Sequence, residues 1–162
     1  MRKFASICIT LLSLFAAFTL NAGTAQAINY NNYEPWYNSE AQSKCITPEG
    51  NGTANGTVLT VWSCTGSTMQ NFIVTGNNEI RHQASGKCVT PRGDAYDTNG
   101  AVLTLWTCSS AISQKFQSYL ATKAQFSDKC VTSKGGSLSN GVWMTLWTCD
   151  FIGGPPIEQS WV

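Results

Sequence analysis

The chain has 162 residues, 43% hydrophobic and only 12% charged, with 10 basic residues against 9 acidic ones. This balance offers no basic field for nucleic acid or acidic lipid, so neither partner is expected. The length suits one domain with a real core.

In chain order, Arg2 and Lys3 precede an apolar stretch from Ile7 to Leu20, followed by Ala25-Gln26-Ala27. This is the pattern of a secretory signal peptide of bacterial type. Thr10, Ser13 and Thr19 interrupt the apolar run, which is shorter than the ~20 residues of a membrane-spanning helix. Cleavage after Ala27 predicts a signal peptide over 1–27, a single domain over 28–162, and secretion to the extracellular space or periplasm without membrane insertion. The mature part keeps 8 basic residues, 9 acidic ones and six cysteines. The next segment, Tyr30 to Tyr37, is rich in aromatics. Its end is expected to form the first strand, with the remainder a flexible arm or a docking segment.

Beyond it the chain repeats itself. NGTVLTVWSC (Asn55 to Cys64), NGAVLTLWTC (Asn99 to Cys108) and NGVWMTLWTC (Asn140 to Cys149) align without a gap, starting 44 and 41 residues apart. Each is preceded by a shared piece, SKCITPEG (Ser43 to Gly50), GKCVTPRG (Gly86 to Gly93) or DKCVTSKG (Asp128 to Gly135). Each is followed by Gln-x-aromatic at Gln70 to Phe72, Gln114 to Phe116 and Gln159 to Trp161. A fixed period of this size marks a repeated supersecondary unit. The repeats run over about 36–76, 77–119 and 120–162.

Six cysteines in an exported domain imply disulfides, and counting alone permits 15 pairings. Because equivalent units pair equivalently, the repeat predicts Cys45–Cys64, Cys88–Cys108 and Cys130–Cys149, each closing a loop worth roughly 3 kcal/mol in the chain-entropy account. Zinc is not expected, since the mature chain has no C-x-x-C pair and one histidine, His82. Asn51-Gly52-Thr53 and Asn55-Gly56-Thr57 match the glycosylation pattern, but Gly-rich turns generate such matches by chance.

Alternating Val, Leu, Thr and Trp between Asn-Gly and Gly-Gly turns reads as short strands. Three such units in one small domain predict an all-β barrel with pseudo-threefold symmetry, about four strands per repeat. In the strand before each second cysteine, Leu59 and Val61 share one face, expected to be core. Val58, Thr60 and Trp62 share the other. The same alternation groups Thr104 with Trp106, and Thr145 with Trp147 and Trp143. These tryptophans are either exposed plates or caps packed over the disulfides, and alternation alone leaves both open. Phe72, Phe116 and Trp161 are expected to fill the core as threefold equivalents.

Cys-Ile/Val, the Asn-Gly turn, the strand ending Trp-x-Cys and the Gln-x-aromatic ending, three times over, resemble the ricin-type β-trefoil lectin domain with its QxW motif. The resemblance covers about residues 36–162. It implies a β-trefoil that binds glycans through shallow sites, with the sugar-stacking aromatic at Trp62, Trp106 and Trp147. It also implies an Asp two residues after the first cysteine of each repeat, where this chain has Thr47, Thr90 and Thr132. The Asn favoured before the QxW glutamine is replaced by Met69, Ser113 and Glu158. A threonine hydroxyl lacks the two charged acceptors of a carboxylate.

Nearby acids are candidates to compensate: Glu49 in the first repeat, Asp94 and Asp97 in the second, Asp150 and Glu158 in the third. The third repeat also carries the longer loop with Gly153-Gly154-Pro155-Pro156, a turn-rich insertion. The expected carbohydrate-binding set is therefore Trp62, Gln70, Trp106, Gln114, Trp147, Asp150, Glu158 and Gln159, with the glutamines bracing loops, supporting the site, or both. The third repeat is the favoured individual site.

No cofactor is expected and no catalytic constellation stands out, because a nucleophile-histidine pair would rest on His82 and the mature cysteines are expected to be oxidised. Glycans are the expected partners. The alternative is a trefoil that has lost sugar binding and serves as a protein-interaction subunit beside a separately encoded toxin or enzyme, as in lectin-like subunits of bacterial cytolethal distending toxins.

Overall fold

A computed structural model describes residues 34–118 and 121–162. The expected signal peptide and residues 30–33 of the lead-in lie outside them. Among the described residues the elements are short strands and 3-10 turns.

The first repeat holds β1 (Glu34–Pro35), β2 (Lys44–Pro48), β3 (Leu59–Ser63) and β4 (Asn71–Val74). The second holds β5 (Ile80–His82), β6 (Cys88–Pro91), β7 (Leu103–Trp106) and β8 (Phe116–Ser118). The third holds β9 (Thr122–Ala124), β10 (Lys129–Ser133) and β11 (Met144–Thr148), with Trp161 bridging back to Asn38 in place of a fourth strand. Within each repeat an antiparallel hairpin, β2–β3, β6–β7 or β10–β11, carries both halves of the cysteine pattern.

Two sets of contacts join the repeats. The outer set pairs β4 with β5 and β8 with β9, and the Asn38–Trp161 bridge closes the ring. The inner set is cyclic: Val58 bridges Thr104, Val102 bridges Thr145, and Trp143 bridges Thr60. Main-chain bonds reinforce it, from Gly56 N to Leu105 O, Gly100 N to Leu146 O and Gly141 N to Val61 O, each 2.8 Å. With three disulfides at the expected pairings, Cα atoms 4.9–5.0 Å apart, this is a disulfide-stapled β-trefoil.

Strand alternation builds the core in threefold layers. Leu59, Leu103 and Met144 form one set, Val61, Leu105 and Leu146 a second, and Ile46, Val89 and Val131 a third, all fully buried. Phe72, Phe116 and Trp161 fill the remaining space, as expected of the Gln-x-aromatic positions. Trp36 joins them, which the reading of the lead-in did not foresee. It lies edge-on to Phe72 with centroids 5.3 Å apart, and its carbonyl accepts from Ile46 N at 2.8 Å. The end of the lead-in is thus core.

His82 is fully buried on β5, its ring centroid 5.0 Å from that of Phe72. Nε2 lies 3.0 Å from the Met69 carbonyl and Nδ1 2.9 Å from the Ser85 hydroxyl. A neutral ring satisfies both, donating from Nε2 to the carbonyl and accepting at Nδ1 from the hydroxyl. The bond ties the second repeat to the 3-10 turn Thr68–Gln70 of the first. Asn38, the equivalent residue of the first repeat, does likewise to Ile157 of the third, whereas Ala124 has no side chain to do so.

Two outcomes follow from this packing. Phe116→Ala is expected to destabilise the disulfide-intact protein by about 3–5 kcal/mol, as deletion of a fully buried ring does, read from equilibrium urea denaturation. Burial holds the His82 pKa below its ordinary 6.5, the Met69 bond opposing that shift. As pH falls through about 6.5 the unfolded chain takes up a proton that the folded chain refuses, so stability falls toward acid. The urea midpoint is expected to drop between pH 7.5 and 5, and His82→Gln to remove that part of the drop.

Candidate functional site

Each hairpin presents one open hollow at the same place, of about 470, 310 and 320 Å3 in repeats one, two and three. The back is a tryptophan: Trp62, Trp106 and Trp147 are 44%, 48% and 51% exposed, so each indole has one half on the protein and one half in solvent. Their cross-strand partners are Cys45, Cys88 and Cys130. Each indole therefore stands across its hairpin from a disulfide cysteine and still offers an open surface.

The neighbouring repeat supplies one wall. A Cβ on Gly141, Gly56 or Gly100 would meet Cζ3 of Trp62, Trp106 or Trp147 at 3.8, 3.6 and 3.8 Å. All three glycines have φ of +83° to +85°, the left-handed region that glycine adopts without steric cost. The preceding asparagines reach across as well: Asn55 bonds Thr107 at 3.2 Å, and Asn99 Oδ1 accepts from Thr148 N at 2.8 Å. Asn140 Oδ1 accepts from Lys44 Nζ at 2.9 Å. The Asn-Gly repeat thus has a second role beyond its turn, and the hollow belongs to two repeats at once. Each glycine walls the tryptophan of a different repeat, so the spacing within one repeat carries no signal of it.

Beneath the indoles the threonines are structural. Thr60, Thr104 and Thr145 are buried and donate to the carbonyls of Thr47, Thr90 and Thr132 at 2.9, 2.9 and 3.1 Å, tying each hairpin together. Thr47, Thr90 and Thr132 line the hollows. Two of these hydroxyls are occupied as donors, Thr90 to Cys88 O at 3.2 Å and Thr132 to Cys130 O at 3.0 Å.

Gln70, Gln114 and Gln159 are buried braces. Their Nε2 atoms donate to Ser63 O, Thr107 O and Thr148 O at 3.0 Å, and their Oε1 atoms accept from Thr65 N, Ser109 N and Asp150 N at 2.7, 2.7 and 2.9 Å. Gln70 and Gln114 also donate to Thr47 and Thr90 Oγ1 at 2.8 and 2.9 Å; Thr132 receives no such bond from Gln159. Each glutamine therefore fixes the chain just after the second cysteine, which frames its hollow.

The proposed acids separate. Glu158 lines the third hollow, and Asp94 the second, where Oδ1 accepts from the buried Ser113 hydroxyl at 2.7 Å. Asp150 is exposed and capped into its own loop, accepting from Ile152 N at 3.1 Å, outside the residues that line the hollow. Glu49, Arg92 and Lys134 occupy equivalent places on the outer lips. Lys134 Nζ lies 5.2 Å from the centroid of Trp143, within cation–π range. Glu49 was among the nearby acids that the sequence offered, whereas Arg92, Lys134 and the Asn51 side chain were not singled out.

Among the described residues, the one grouping of ligand-like acid and cysteine atoms is Glu79 with Cys88 and Cys108. The two sulfurs form a disulfide, and Glu79 is paired with Lys115 at 3.0 Å.

The chain matches the family described as the ricin-type beta-trefoil lectin domain over residues 37–155. None of the curated proteins matches the sequence. Among solved structures it is similar to the designed threefold-symmetric protein ThreeFoil, with TM-score 0.70 and 19% identity over 80% of this chain and 95% of that one. It is also similar to the Macrolepiota procera ricin B-like lectin in complex with lactose, with TM-score 0.68 and 13% identity over 85% and 97%. The C-half of the earthworm R-type lectin in complex with GalNAc gives TM-score 0.65 and 12% identity over 80% and 95%. With its family match over most of its length, its three QxW-type repeats and its cyclic barrel, the chain belongs to the ricin-type β-trefoil lectin family.

Proposed function

We propose that the protein is a secreted, non-enzymatic lectin that binds glycans at one or more of the hollows backed by Trp62, Trp106 and Trp147. The observation that carries this reading is the threefold recurrence of a half-exposed indole in an open hollow, walled by a glycine from the next repeat. A pyranose presents a face of C–H groups to such a plate, and the indole face is apolar and faintly negative. The glycine leaves room beside the ring that any side chain would take. The buried glutamines hold this geometry, Gln70 and Gln159 from the lining of their own hollows. Related lectins whose structures contain GalNAc and lactose make those two sugars the first probes.

Three disulfides and the leader pattern support an oxidising, exported location. With all three disulfides formed, the six mature cysteines provide no free thiol nucleophile, and the one histidine is buried with both ring nitrogens engaged. A binding role is the reading that these residues favour.

A second reading, a protein-interaction subunit, is favoured by one specific feature. The loop peculiar to the third repeat exposes Phe151 and Ile152, with Ile152 at 96%. Apolar side chains collected on one loop suit a protein partner.

A glycan array carrying galactose- and GalNAc-terminated structures separates the two. The lectin reading expects saturable binding, weakened at least about tenfold, or about 1.4 kcal/mol, by one or more of Trp62→Ala, Trp106→Ala and Trp147→Ala. No binding, or equal binding by all three variants, would contradict it. Phe151→Ser with Ile152→Ser is expected to leave glycan binding unchanged.

A further inference from the structure

A carboxylate stands in two of the three hollows at one common corner. That corner lies between the turn following the first cysteine and the 3-10 turn carrying the QxW glutamine. The turn contributes Asn51, Asp94 or Gly136, all with positive φ, and the 3-10 segment contributes Met69, Ser113 or Glu158.

In the second repeat the acid comes from the turn. Asp94 faces Ser113, whose hydroxyl donates to it at 2.7 Å. In the third repeat the arrangement is reversed. The turn has Gly136, and Glu158 extends from the 3-10 segment into the vacant space, with Cδ and Oε1 3.8 and 3.9 Å from where a Gly136 Cβ would be. Small residue and acid have exchanged elements while the charge keeps its place. In the first repeat the turn contributes the Asn51 amide, and the acid of that hollow, Glu49, sits on the outer lip where the others have Arg92 and Lys134.

We infer that Asp94 and Glu158 are equivalent specificity-determining residues, each accepting from the hydroxyls of a sugar stacked on Trp106 or Trp147, and that the hollow at Trp62 does not bind this sugar. The inference rests on the lectin reading above. A carboxylate accepts two hydroxyls through charge-assisted bonds, roughly twice as strong as neutral ones. The Asn51 amide offers one acceptor oxygen and no charge.

The test is proton–nitrogen NMR of the indole Nε1–H signals in the disulfide-bonded protein, titrated separately with lactose and N-acetylgalactosamine. At least one probe is expected to shift the signals of Trp106 and Trp147 and leave that of Trp62 in place. Asp94→Asn should weaken the Trp106 response at least tenfold with Trp147 unchanged, and Glu158→Gln should do the converse. Asn51→Asp should create a response at Trp62. If Trp106 and Trp147 respond as strongly in these variants as in the wild type, or if Trp62 responds equally in the wild type, the inference falls and the lectin reading stands. If no indole responds to either sugar, both fall.

Discussion

The cyclic main-chain bonding of the three Asn-Gly turns to the next repeat's central strand organises the remainder of the molecule. Gly56, Gly100 and Gly141 donate into β7, β11 and β3 in turn, while Leu105, Leu146 and Val61 donate back to Thr57, Ala101 and Val142 at 2.7–2.9 Å. Each hairpin alone has one apolar face and could not remain folded in water, since an isolated two-stranded ribbon is marginal. Linked in a ring, the three faces enclose the layers of Leu59, Leu103 and Met144 and of Val61, Leu105 and Leu146. Closure also removes the free edges that a set of short strands would otherwise expose.

The same linkage makes the hollows. Each turn meets the neighbouring strand at a left-handed φ, which favours glycine. Because glycine has no side chain, the indole of that strand stays open on one side. The disulfides act within each repeat, tying the first strand of the hairpin to the residues just after the second, and the buried glutamines fix the loop beyond. A site assembled from two repeats is therefore a consequence of ring closure, and a single repeat in isolation would lack one wall of its hollow.

Periodicity made most of the fold legible before any coordinates. Three gapless copies around Trp-x-Cys fixed the cysteine pairing, the inward faces of β3, β7 and β11, and the core role of Phe72, Phe116 and Trp161. Trp36 was harder to place, because it lies before the first clear repeat and its position in the ring is taken elsewhere by Ile80 and Thr122, which share nothing with it. The site was legible only in part. Alternation placed the three tryptophans outward, but the glycine walls come from residues distant in sequence. Asp150 and Glu158 looked alike as nearby acids, yet the backbone turn at Ile152 directs one away from the hollow while the 3-10 turn directs the other into it. Charge near a site in sequence carries no direction.

The surface combines a repeated tryptophan plate with individual lips, as in Glu49, Arg92 and Lys134, so under the proposed reading the three hollows would share a mode of contact and differ in what they select. The central claim is that sugar rests on an indole between two repeats. It is tested most directly by a crystal structure of the protein soaked with lactose or N-acetylgalactosamine. The account predicts a pyranose ring stacked on the open face of a tryptophan among Trp62, Trp106 and Trp147, in van der Waals contact with the glycine of the neighbouring repeat. Sugar bound elsewhere, with all three indoles bare, would contradict it.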